Sequence, residues 1–123
     1  MPSILVADDA PFIREIVRVI ALKNGIDVVG EAADGHEAVQ LALALRPDVI
    51  LMDIIMPRKS GIEATIEILK QMPDARIIAF STADADILAT RALDAGCRSF
   101  VGKPFKADDL LAAIHECLRA RSD

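Results

Sequence analysis

Asp48-Val49-Ile50-Leu51-Met52-Asp53-Ile54-Ile55-Met56-Pro57 carries an apolar run that delivers an acid. Val49 to Met52 is too short to span a bilayer. Four consecutive apolar residues with no polar alternation suit a strand buried on both faces, as in a parallel sheet. A carboxylate closing such a strand is costly to bury unless it is paired, hydrogen-bonded or bound to a metal, so Asp53 needs a partner or a place at a solvent-facing rim.

Working outward, the same strand-then-helix unit recurs along the chain. Ser3 to Ala7 is short and mostly apolar and ends in Asp8-Asp9, with Pro11 two residues on. This predicts a buried strand followed by a helix start, since Asp favours the N-cap and Pro the first turn. Ile13, Ile16, Val17 and Ile20 then recur at helical spacing, and Asn24-Gly25 supplies a left-handed stop. A second unit has a strand over Ile26 to Glu31 and a helix over Gly35 to Leu45, ended by Pro47. The third is the opening stretch and a helix carrying Ile62, Ile66 and Leu69, with Ser60 and Glu63 at capping-box spacing. The fourth has a strand over Arg76 to Phe80 and a helix from about Asp84 to Ala95, with Gly96 as its cap. The fifth has a strand over Arg98 to Gly102 and a helix with Leu110, Leu111, Ile114, Cys117 and Leu118.

This alternation with short loops predicts an α/β fold, a doubly wound five-stranded parallel sheet with five helices. Residues 1–123 are expected to form one domain, since 123 residues that are 53% apolar can bury a full core. A net charge of −5 argues against nucleic acid or an anionic membrane as partner. No run approaches the ~20 apolar residues of a membrane span, and the N-terminus lacks the pattern of a signal peptide. Cys97 and Cys117 have no metal-ligand spacing and read as reduced core thiols of a cytoplasmic protein. Met52 and Met56 read as packing residues, His36 and His115 as helix-surface residues, and Arg58-Lys59 as a solvated basic pair.

In open sheets of this kind the ligand site lies outside the carboxyl ends of the strands. The residues there are Asp8, Asp9, Asp53, Ser81 and Lys103. Crowded carboxylates repel one another unless a divalent cation sits among them, and hard oxygen donors select Mg²⁺, which completes its shell with water and phosphate oxygens. Lys103 and the Ser81 hydroxyl can donate to phosphoryl oxygens, and Asp53 can act as a nucleophile that forms an aspartyl phosphate.

With these residues placed, the chain resembles the CheY-like receiver domains of two-component response regulators. The likeness rests on Asp8-Asp9, Asp53 within Met-Asp-Ile-Ile-Met-Pro, Gly61, Ser81 and Lys103-Pro104-Phe105, separated by 44, 28 and 22 residues from Asp9 through Asp53 and Ser81 to Lys103. It implies the flavodoxin-like strand order 2-1-3-4-5. It also implies Asp53 as phosphoacceptor, Asp9 as a direct Mg²⁺ ligand with Asp8 assisting, and the backbone carbonyl of Ile55 as a further ligand. Lys103 would pair with Asp53 at rest, Lys103-Pro104 would be a cis peptide, and Ser81 and Phe100 would form a switch pair. The implied partners are a histidine kinase and a downstream target on the face of the fourth helix, fifth strand and fifth helix. Such a domain promotes only its own phosphorylation and dephosphorylation and is not otherwise an enzyme.

Some positions depart from the commonest pattern. Thr82 stands where a small residue is usual, and Ile55 and Ala83 replace polar side chains that in some members orient a hydrolytic water, which predicts slow phosphoryl loss. Because the chain stops directly after its last helix, a single-domain, chemotaxis-like regulator is expected, with the N-terminal receiver of a longer DNA-binding or effector protein as alternative. A haloacid dehalogenase-like phosphohydrolase fits less well, since its second Asp would fall at Ile55. Dinucleotide binding lacks the Gly-rich turn after the first strand.

Overall fold

Each apolar run becomes a strand, and each helical periodicity the helix behind it. In the computed structural model, which describes residues 1–82 and 85–119, the order is β1 (Ser3–Ala7), α1 (Pro11–Lys23), β2 (Asp27–Ala32), α2 (Gly35–Leu45), β3 (Val49–Asp53), α3 (Gly61–Gln71), β4 (Ile77–Ser81), α4 (Ala85–Ala95), β5 (Ser99–Gly102) and α5 (Ala107–Arg119). All neighbouring strands are parallel, in the order β2-β1-β3-β4-β5. This is the doubly wound, flavodoxin-like architecture expected from the sequence.

The direction of winding decides which face each helix covers. From β1 the chain steps outward to β2, then returns across β1 to β3 and continues to β4 and β5. Because crossovers are right-handed, reversing the direction moves the helix to the other face. On one face Ile4, Val6, Leu51, Ile78 and Phe80 pack with Val17 and Ala21 of α1 and Leu110, Ile114 and Cys117 of α5. On the other, Leu5, Ile50, Met52, Ile77 and Ala79 meet Ala38 and Ala42 of α2, Ala64 and Ile68 of α3 and Ala92 of α4. Strand residues therefore alternate between two cores, and each fully buried Ile or Leu contributes about 1.5–3 kcal/mol. His36 and His115 are exposed, and Cys97 and Cys117 are buried free thiols. Among the described residues no helix is long and apolar enough to cross a membrane.

Several boundaries differ from the expected ones for identifiable reasons. Ser81 closes β4 instead of opening the loop, because a polar residue still pairs there, opposite Gly102. β2 starts at Asp27 and reaches Ala32, and β5 starts at Ser99. The N-cap of α1 is Ala10, not an aspartate, and no side chain caps it. The Asp8 carboxylate instead accepts a hydrogen bond from the Ala10 N–H at 2.8 Å, which bends the chain into the helix that Pro11 begins. In α3 the expected Ile66 is 44% exposed, while Ala64 and Ile68 join the core on that face of the sheet and the buried Thr65 hydroxyl lies 3.7 Å from Cys97 Sγ. The Ser60–Glu63 capping box is formed. Met52 and Met56 are buried core residues, and α4 is described only from Ala85, so its predicted start at Asp84 lies outside the described residues.

Gly61 sets the distance between α3 and the end of β3. Its N–H donates to the Ile54 carbonyl at 2.8 Å, and a Cβ at this position would lie 2.0 Å from the Asp53 carbonyl oxygen. The obstructing atoms are backbone and cannot swing aside. Gly61→Ala is expected to lower unfolding free energy by about 2–3 kcal/mol in urea denaturation. Gly102→Ala, where an added methyl group meets nothing within 4 Å, should change it by less than about 0.5 kcal/mol.

Candidate functional site

Parallel strands bring all their carboxyl ends to one rim, and the reversal of winding leaves a crevice above β1 and β3. Ala7 is level with Met52 in the register, so Asp8 emerges beside Asp53. Asp8, Asp9 and Asp53 each bring one carboxylate oxygen to within 4.8 Å of the others. Asp8 and Asp53 are buried and Asp9 is exposed.

Lys103, just after β5, reaches back across the rim. Its Nζ lies 2.5 Å from Asp8 Oδ2 and 3.5 Å from Asp53 Oδ2, with the lysine side chain only 8% exposed. The ammonium thus sits between the two buried carboxylates and closer to Asp8, not on Asp53 alone. The Lys103 N–H donates to the Ser81 carbonyl at 2.9 Å, tying β5 to β4, and the Lys103–Pro104 peptide is cis. Ser81 is buried at the end of β4, one residue beyond Phe80, which pairs with Asp53. Phe100 is partly buried on β5 against the core that includes α4. The Ile55 N–H donates to Asp53 Oδ1 at 3.4 Å, while the Ile55 side chain is 58% exposed. Thr82 is exposed in the turn after β4, and Ala83 lies outside the described residues.

Burial pushes the Asp53 carboxyl up to about 6 from 3.8, and the neighbouring Asp8 charge pushes in the same direction. The Lys103 ammonium and the Ile55 N–H oppose this without cancelling it. Three carboxylates gathered around one lysine carry more negative charge than it neutralises. Three hard oxygen donors with surplus negative charge fit a divalent cation of the Mg²⁺ class.

Other residues shape the site without standing out in the sequence. The Phe80 ring lies under Lys103, with Nζ 4.6 Å from its centroid, and meets Phe105 edge to face at 6.2 Å. Arg14 donates to the Asp8 carbonyl at 2.7 Å while its Nε pairs with Glu31 at 3.1 Å. Arg14 was hidden on a helix read only for its apolar stripe, and Phe80 in a strand read as core. Arg58 is largely solvated as expected and Lys59 less so, and each also meets a carboxylate: Arg58 Nε is 2.7 Å from Asp34 Oδ2, and Lys59 holds Glu67.

The winding and rim geometry define a class, a doubly wound α/β domain with an acidic pocket at its switch point. The response regulator receiver domain family matches residues 4–115, and the chain belongs to that family. CheY of Thermotoga maritima is 39% identical over 113 residues, covering 92% of this chain and 94% of that protein. The transcriptional regulatory protein PdtaR of Mycobacterium tuberculosis is 42% identical over 113 residues, covering 90% of this chain and 54% of that protein. Among solved structures, the response regulator domain of Thermotoga maritima CheB superposes with a TM-score of 0.91 at 35% identity, over 99% of both chains. Receiver domains are signalling modules of two-component systems, they bind Mg²⁺ at an acidic pocket, and they interact with kinases and downstream targets.

Because the folded chain holds the Asp53 proton more tightly than the unfolded chain does, its ionisation opposes folding. That contribution to stability is full below about pH 4 and is lost as pH rises through about 6. Asp53→Asn, melted without divalent cations, should be more stable than wild type by about 1–2 kcal/mol at pH 8 after allowance for solvent screening. The difference should shrink as pH falls through 6, which thermal melts across pH would show.

Proposed function

We propose that this chain is a phosphorylation-dependent switch that takes a phosphoryl group from the phosphohistidine of a histidine kinase onto Asp53. The observation that carries this reading is the buried Asp53 carboxylate, flanked by Asp8, Asp9 and Lys103 on the rim of a receiver fold. At neutral pH a carboxyl that titrates near 6 is mostly ionised and available as a nucleophile. One Asp53 oxygen forms the new bond to phosphorus as the phosphorus–nitrogen bond breaks. The imidazole nitrogen keeps that electron pair and takes up a proton.

Asp8, Asp9, Asp53 and the Ile55 carbonyl would hold Mg²⁺. When bound, that ion supplies positive charge against the phosphoryl oxygens. Lys103 turns from its shared place between Asp8 and Asp53 to donate to a phosphoryl oxygen, and the Ser81 hydroxyl donates to another. Movement of Ser81 draws Phe100 inward, which alters the face of α4, β5 and α5. A groove of about 670 Å³ lies there, lined among others by Arg98, Phe100, Phe105, Asp109 and Glu116. Phosphorylation biases this face only through its differential stabilisation of two conformations. A downstream protein docking there reads the state.

Residues 1–123 act as one receiver domain in the cytoplasm, working alone in the manner of the CheY relatives. A longer effector protein is the second reading, favoured by the resemblance to PdtaR, which is nearly twice as long as the matched segment. The apolar Ile55 side chain cannot orient a water, so the acyl phosphate is long-lived.

With acetyl phosphate and Mg²⁺, wild type should gain one phosphoryl group per chain by mass spectrometry and Asp53→Asn none. Labelling of that variant at wild-type stoichiometry would overturn the assignment. Ile55→Asn, which restores a polar side chain, should shorten the half-life of the phosphorylated form several-fold.

A further inference from the structure

We propose that the Asp34–Arg58 ion pair is a positioning device for the metal side of the site. It holds the loop between β3 and α3, residues 54–60, in the conformation that presents the Ile55 carbonyl to Mg²⁺. This rests on the reading above of Asp53 as phosphoacceptor and Ile55 as ligand.

The loop is pinned at both ends by the elements it joins. At its start the Ile54 N–H donates to the Phe80 carbonyl at 3.3 Å, and at its finish Ser60 and Gly61 are fixed by the α3 capping box and by the Gly61 bond to Ile54. The middle has only short local bonds among the described residues, from the Ile55 N–H to Asp53 Oδ1 at 3.4 Å and from the Lys59 N–H to the Pro57 carbonyl at 2.7 Å. The Ile55 side chain is 58% exposed, so packing does not orient its peptide group. Arg58 has a positive φ of 68°, a conformation unfavourable for a residue with a Cβ.

Two contacts to the start of α2 hold this segment. The Lys59 carbonyl accepts from the Gly35 N–H at 3.0 Å, so close that a Cβ on Gly35 would lie 2.2 Å from that oxygen. Arg58 Nε donates to Asp34 Oδ2 at 2.7 Å, while Oδ1 of the same carboxylate accepts from the Glu37 N–H at 2.8 Å. Asp34 is 6% exposed and fixed by its capping role, so it is a rigid anchor. The Glu37 N–H and the Arg58 guanidinium hold its carboxyl below the usual carboxylate value. The Arg58 side chain is 72% exposed, and a pair of that exposure contributes little to global stability. Its consequence is where the loop sits rather than whether the domain folds.

The test compares Arg58→Ala, Arg58→Gly, Asp34→Asn and the Arg58→Ala/Asp34→Asn double variant with wild type. Asparagine keeps the N-cap acceptor and removes the ion pair, and glycine relieves the positive φ without restoring the partner. Mg²⁺ alone is titrated, followed by the amide resonances of Asp53 and Ile55, and amide exchange is measured separately in EDTA. Each single variant should weaken Mg²⁺ binding by about 10-fold, the lower end of what losing a group that orients a metal ligand costs. The double variant should be no weaker than the singles, because both remove one interaction. In EDTA, exchange should accelerate at the amides of Ile55, Met56, Arg58 and Lys59 and stay unchanged in β3.

Wild-type Mg²⁺ affinity in Arg58→Ala and Asp34→Asn would overturn the inference, as would exchange that accelerates uniformly over the domain. If wild type is labelled on Asp53 while these variants bind Mg²⁺ normally, the ion-pair inference alone fails. If wild type binds Mg²⁺ but takes no phosphoryl group on Asp53, the functional reading fails and the titrations still decide the role of the pair.

Discussion

Two buried carboxylates share one buried ammonium. Asp8 and Asp53 both lie within 3.5 Å of Lys103 Nζ, and no arrangement of one lysine can neutralise both. The imbalance appears in Asp53, whose carboxyl is raised by burial and by Asp8 despite the nearby cation. The Ile55 N–H adds a hydrogen bond to Asp53 at 3.4 Å. The Phe80 ring under the ammonium and the Phe105 ring beside it form an apolar floor on which the pairing is less screened.

The fold exists in a form that makes this crowding unavoidable. A parallel sheet points every strand's carboxyl end the same way, and the reversal of winding at β1 places the chain segments after β1 and β3 side by side with no helix between them. The register fixes Asp8 against Asp53 to within one residue, and a one-residue slip would turn Ile50, Leu51 and Met52 of β3 toward the wrong cores. Gly61 then brings α3 in so close that the β3 carbonyl ends abut its first turn. Apolar packing on both faces of the sheet therefore sets the separation of the charges, a separation the charges themselves oppose.

Much of this was legible in the sequence because it follows from periodicity. The apolar runs located five strands, the helical stripes located five helices, and the rule for open sheets brought Asp8, Asp9, Asp53, Ser81 and Lys103 to one rim. What escaped depended on contacts between segments far apart in the chain. Nothing near Arg58 in sequence announces Asp34, 24 residues earlier, as its partner. Phe80 reads as one more core residue until the cross-strand geometry sets Lys103 above its ring. The N-cap of α1 was misplaced for a related reason: Asp8 has the right chemistry for a cap but bonds to Ala10 and Lys103 instead, so a tertiary partner overrode a local preference. Ile66 shows the limit of counting large apolar residues, because α3 buries the smaller Ala64 and Thr65 along with Ile68 and leaves Ile66 exposed.

The charge balance also includes the exposed Asp9 beside the buried pair. With Lys103 between Asp8 and Asp53, the two carboxylates and one ammonium leave a single net negative charge beneath the surface. Asp9, within 4.8 Å of both, adds a second at the point where solvent enters. Two surplus charges on hard oxygens are matched by one divalent cation and not by a second lysine, which would need a chain segment of its own and could not leave. A site assembled from strand ends is thus left with surplus negative charge that a cation from solution can offset, while its inner half is fixed by the core.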